Sequence, residues 1–120
     1  MKKQIEIKKC YNNSNKRIAE FMGYTVYSIT TTIIPAAMNH IRVDSLSYHS
    51  NWNRLMDVVE KMESLGYIST IEKLQHGEHR VFFNKIETLE EVGNGARDMD
   101  KKLAVYKAVV NFIDWYNNKL

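Results

Sequence analysis

Residues Ser50–Gly66 read SNWNRLMDVVEKMESLG, one amphipathic helix with a signal at either end. Trp52, Leu55, Met56, Val59 and Met62 recur at the i, i+3, i+4, i+7 spacing of a single helical face, widened by Val58 and Leu65. Asn53, Arg54, Asp57, Glu60, Lys61 and Ser64 fill the opposite side. Ser50 is a favoured N-cap residue, and Gly66 stands where a left-handed residue would end the helix. A one-sided apolar helix must bury that side, so the chain folds around it.

The second strong signal is a helix from Asp98 or Asp100 to Asn118. Its polar positions Lys107, Asn111, Asp114 and Asn118 project as one narrow stripe. Leu103, Val105, Tyr106, Val109, Val110, Phe112, Ile113, Trp115 and Tyr116 take most of the remaining girth. A single sheet face cannot cover so wide an apolar surface. The helix therefore needs a neighbour on a second side: the Ser50–Leu65 helix, or a second copy of the chain. Val105, Val109, Phe112, Trp115 and Tyr116 are the candidate interface for that second copy.

Between the helices, Tyr67–Leu74 and His79–Ile86 flank Gln75-His76-Gly77-Glu78 and read as a hairpin. YTVYSITTTII, residues 24–34, is β-branched and aromatic and reads as a strand stopped by Pro35. Lys16–Met22 reads as a short helix capped from Asn13, Ser14 or Asn15 and ended by Gly23. Gln4–Lys8 reads as a short edge strand. Ile41, Val43, Leu46 and Tyr48 alternate as in an extended segment. Glu87–Asp100, acidic and centred on Gly93-Asn94-Gly95, reads as a connector. The expected fold is α+β: a small, mainly antiparallel sheet of Tyr24–Thr32, Tyr67–Leu74 and Val81–Ile86, packed by two long helices and one short N-terminal helix. It is one domain over residues 1–120, led by a basic segment, 1–15, that is open to partial disorder.

The 17 Lys and Arg against 14 Asp and Glu give a formal charge of +3. That charge is local. Lys2, Lys3, Lys8, Lys9, Lys16 and Arg17 outweigh Glu6 and Glu20 in the first twenty residues, and the remainder is slightly acidic. Those six bases are the candidate nucleic-acid contacts, as phosphate-binding side chains of a leading arm. Cys10 is the single cysteine, so no intrachain disulfide can form. MKKQIEIKK lacks the apolar core of a secretory signal, and the longest apolar run, Ile33–Met38, is far below the ~20 residues of a membrane span. A cytoplasmic protein without membrane contact is expected.

No catalytic motif stands out. His76 and His79, three apart at the hairpin turn, fall short of the three or four ligands a zinc site takes, and His40 and His49 share no motif with them. The P-loop, dinucleotide, HExxH and GxSxG patterns are absent. Neither a metal nor a cofactor is expected. Tyr24, Tyr27, Phe82 and Phe83 with Arg80 have the composition of a base-stacking platform, but core strands need the same residues, and core is the favoured reading. Tyr48, His49, Asn51 and Trp52, polar and aromatic groups at the mouth of a buried helix, are the candidate cleft.

Tyr48, His49, Trp52, Leu55, Met56, Val58, Val59, Glu60, Lys61, Glu63 and Ser64 form one block, and Phe112, Ile113, Trp115, Tyr116 and Asn117 a second. With Ile18, Ala19, Phe21, Met22 and Gly23, they resemble small uncharacterised proteins of Bacteroides-type bacteria and their phages. That group often carries a second tryptophan where this chain has Arg54. The resemblance implies a prophage or mobile-element origin and a layered domain of helices and strands, and it brings no catalytic set. The expected function is that of a non-enzymatic accessory protein acting through protein interaction or self-association. The alternative is a nucleic-acid-binding accessory protein using the basic start.

Overall fold

A computed structural model describes residues 2–27, 40–42 and 47–119. In chain order the elements are α1 (Lys2–Phe21), β1 (Thr25–Tyr27), β2 (His40–Arg42), α2 (Trp52–Ser64), β3 (Tyr67–Lys73), β4 (His79–Lys85), β5 (Glu91–Asp98) and α3 (Lys101–Asn118). The fold is α+β, as expected. β3, β4 and β5 form a three-stranded antiparallel sheet, with Tyr67 opposite Lys85 and Phe83 opposite Val92. β1 and β2 pair in parallel as a separate two-stranded unit.

α3 lies across β5 and β4, with α1 and α2 against its sides. Tyr67, Val81, Phe83 and Val92 point from the sheet into a core shared with Leu55, Val58, Met62, Val105, Val109 and Phe112. The Phe112 ring meets Tyr67 edge-on at 4.8 Å and Phe83 at 5.4 Å. Each such side chain, fully enclosed, contributes about 1.5–3 kcal/mol. The two-sided cover that the girth of α3 demands is thus supplied within one protomer.

Several expectations are corrected. The N-terminal segment is one helix of 20 residues, neither a Gln4–Lys8 strand nor a short Lys16–Met22 helix. Asn13, Ser14 and Asn15 lie inside it, not at its start. Tertiary burial of Tyr11, Asn15, Ile18 and Ala19 along one face overrides the weak helix propensity of the Asn–Ser run. The cap of α2 is Asn51, whose Oδ1 accepts from the Arg54 N–H at 3.1 Å, whereas Ser50 Oγ donates to the Ser47 carbonyl. At the other end Gly66 takes the left-handed conformation, φ +99°, as read.

The acidic connector is strand β5. Gly93, Asn94 and Gly95 all have positive φ and form a bulge within it, between the pairs Phe83–Val92 and Val81–Ala96. Only glycine and asparagine adopt that backbone cheaply, so a local reading sees a break where the sheet continues. Thr25–Tyr27 belongs to the separate β1–β2 unit and not to the main sheet. The remainder of the Tyr24–Ile34 run, Pro35, the Ile33–Met38 stretch and the alternating positions Val43 and Leu46 lie outside the described residues.

Candidate functional site

α1, the turn before α2 and α3 converge on a small polar cluster inside an otherwise apolar interior. Asn15, on the inner face of α1, is fully buried. Its Oδ1 accepts from the Tyr106 hydroxyl of α3 at 2.9 Å, and its Nδ2 lies 2.9 Å from His49 Nδ1. Tyr11, one turn earlier on α1, stacks on the His49 ring at 4.3 Å and 9° and meets Tyr106 edge-on at 5.8 Å. His49 is placed by the turn over Ser47–Asn51, in which the Asn51 N–H donates to the Ser47 carbonyl at 2.8 Å.

The electrostatics follow from this geometry. With Oδ1 engaged by Tyr106, the Asn15 amide presents its NH2 group to His49, so Nδ1 is the acceptor and the imidazole is neutral. Partial burial, and then the nearby Lys102 charge, hold the His49 pKa below its ordinary value. No carboxylate is hydrogen-bonded to His49 among the described residues. Nδ1 is occupied by an amide that neither gives up nor takes a proton. The cluster ties α1, the turn before α2 and α3 together.

A groove of about 500 Å³ opens beside it between α1, β5 and α3. Tyr11, Leu103, Tyr106 and Val110 form most of its wall, with Lys107 and Asn111 at the polar side. Both polar groups are already engaged: Lys107 Nζ with Asp98 at 2.7 Å, and Asn111 Nδ2 with the Gly95 carbonyl at 2.8 Å. The Lys107 bond, followed by the Asp100 N–H, draws the Asp98 carboxyl below its usual pKa.

The candidate cleft residues are divided. Tyr48 is buried, its phenol pKa raised chiefly by that burial, and lines a smaller recess with Met22, Tyr24, Arg54 and Asp57. His49 enters the polar cluster, Asn51 caps α2, and half-buried Trp52 lies under the Lys101 ammonium at 5.8 Å. Of the candidate interface, Val105, Val109 and Phe112 are fully enclosed by their own protomer and cannot meet a second copy. Trp115 and Tyr116 are half-buried. Of the basic residues, Lys2, Lys3, Lys8 and Lys9 fall in the first half of α1, Lys16 is exposed, and Arg17 pairs with Asp114 at 3.5 Å.

Phe83 is core, as favoured, while Phe82 faces the other side of the sheet under the Arg80 guanidinium at 4.2 Å. Arg80 is itself held by Glu72 and Glu91. His76 is exposed, His79 lies on β4, and among the described residues no three His, Cys, Asp or Glu side chains gather as metal ligands. No helix among them is long and apolar enough to cross a membrane.

The chain matches no protein-family model, no curated protein and no solved structure. Sequence reasoning missed Tyr11, Asn15 and Tyr106 as members of one cluster. The available signal was the spacing of Tyr11, Asn15, Ile18 and Met22, which marks one face of a longer α1.

Proposed function

We propose that this chain is a non-enzymatic accessory protein, of phage or mobile-element type, that works through protein interaction, including pairing with its own copies. The groove between α1, β5 and α3 carries the reading. Its polar groups are spent on internal bonds, so an occupant gains chiefly from apolar contact with Tyr11, Leu103 and Val110. This moves any self-pairing of α3 from its enclosed face to Leu103 and Val110, two turns apart beside the groove. Sedimentation velocity over a micromolar concentration series tests it. A rise in sedimentation coefficient that Val110→Glu abolishes supports the pairing; a single monomeric species throughout removes it.

A second reading, nucleic-acid binding, is favoured by the continuity of α1. Lys2, Lys9 and Lys16 recur at intervals of seven along one helix, two turns apart each time, instead of lying on an arm of unrelated conformation. Its test is replacement of Lys2, Lys3, Lys8 and Lys9 by Gln in a gel-shift titration. Deleting α1 is unsuitable, since Tyr11 and Asn15 belong to the interior.

A further inference from the structure

Near the C-terminal end of α3, lysines and aromatic rings alternate. Lys119 Nζ lies 4.4 Å from the centre of the Tyr116 ring and 5.6 Å from that of Trp115. Lys85, at the end of β4, approaches the same indole at 5.9 Å. Behind them Tyr67, whose hydroxyl accepts from Lys119 Nζ at 3.4 Å, meets Trp115 edge-on at 6.0 Å. Phe21 packs edge-on to Tyr116 and carries Lys61 over its face. Lys61 is committed elsewhere, since its ammonium donates to the Phe21 carbonyl at the end of α1.

Among the described residues this corner alone brings two ammonium groups to one indole, Trp52 having only Lys101. Arg17, Arg80, Arg97 and Lys107 are each neutralised by a carboxylate. Among the described residues neither Lys85 nor Lys119 has an ion-pair partner, although both stand at one indole. A groove of about 330 Å³ adjoins them, walled by Leu65, Tyr67, Lys85 and Ile86, with Glu87 its one carboxylate. Leu65 and Ile86 are 43% and 52% exposed, unusually open for such side chains.

We propose that this corner binds single-stranded nucleic acid, Lys85 and Lys119 taking phosphate oxygens and Trp115 stacking a base beside the adjoining groove. The inference rests on the nucleic-acid reading above and adds a second site to α1. Two unneutralised ammonium groups complement a polyanion, and a phosphate attracts each more strongly than a ring face does. Its approach draws the lysines outward and frees the aromatic surface. A duplex hides its base faces, whereas an unpaired strand offers one at every residue. Point charges and a flat ring read no base edge, so binding tolerates sequence.

The test is fluorescence titration of a Trp52→Phe protein, in which Trp115 is the remaining indole, with single-stranded oligothymidylate. The proposal expects quenching that weakens with salt. Lys85→Gln with Lys119→Gln should lower affinity about tenfold and flatten the log affinity against log salt slope by about 0.7 for each lysine. Lys119 is exposed and Lys85 half-buried, and an unchanged melting temperature confirms that the fold survives. Trp115→Phe, followed by anisotropy of labelled strand, should retain part of the binding. Binding left unchanged by the double lysine variant but lost on replacing Lys2, Lys3, Lys8 and Lys9 overturns this site and leaves the α1 reading standing. No binding at low salt overturns both. Quenching by oligoglutamate but not oligothymidylate also overturns it, in favour of an acidic polypeptide.

Discussion

The Tyr106 hydroxyl donates to Asn15 Oδ1 at 2.9 Å, joining α3 to α1 across 91 positions of sequence. The same buried amide reaches His49, so one side chain ties three distant segments together. Asn15→Ala removes both bonds, one to the buried Tyr106 and one to the half-buried His49, a loss of about 2–4 kcal/mol. Tyr106→Phe removes one donor and costs about 1–2 kcal/mol. The double variant should be less destabilised than the two losses combined, since each change spoils the same bond. Urea denaturation of the four proteins measures this, and simple additivity would speak against a shared network.

His49 makes stability depend on pH in one direction. Its folded pKa lies below the ordinary value, so the unfolded chain binds the proton more readily. Well above pH ~6.5 both states are neutral and this group contributes no slope. As pH falls below that point the unfolded state gains protons first, and stability declines until the folded imidazole also titrates. Lys102→Gln removes the second cause of the depression, so the His49 pKa followed by NMR should rise toward its ordinary value while remaining below it. No movement would mean that burial acts alone.

Gly93 lies directly against the α3 backbone. A Cβ there would stand 2.8 Å from Phe112 Cα, at a φ of +75°. Gly93→Ala therefore combines backbone strain with a clash against main chain, and should destabilise by about 2–5 kcal/mol. Gly23, also left-handed at +96°, faces open space. Gly23→Ala incurs strain alone, about 1–2 kcal/mol. Thermal unfolding should rank the two clearly, and equal losses would remove the role given to Phe112.

The start of α2 offers a direct comparison of neighbours. Asn51→Ala deletes the acceptor of the Arg54 N–H and should cost about 1 kcal/mol. Ser50→Ala deletes an exposed hydroxyl bonded to the Ser47 carbonyl and should change stability by less than about 0.5 kcal/mol. Denaturant midpoints decide which residue is the cap.

What could be read from sequence was whatever a local period carries. The stripe Trp52, Leu55, Met56, Val59 and Met62 faces one core, so its spacing declared α2 at once. The girth of α3 likewise implied cover from two sides, which α1, α2 and the sheet supply. The rest depended on distant partners. Asn15 looked like a cap because a buried asparagine inside a helix needs a partner that local sequence does not reveal, here Tyr106. Gly93-Asn94-Gly95 looked like a breaker because its left-handed backbone matters only with Phe112 overhead. Half of the site emerged the same way: His49 was in view, and the residues that engage it were not.

The bulge in β5 has a consequence for how this protein meets others. Between Val81–Ala96 and Phe83–Val92, Phe82 alone stands opposite Gly93, Asn94 and Gly95, and Asn111 occupies the Gly95 carbonyl. The β5 edge of the sheet, unlike the regular β3 edge, is therefore broken midway, with no straight ladder of free amides there for an incoming strand to copy. Even at the concentrations where neighbours collide often, this margin resists growth into stacked, fibre-like aggregates.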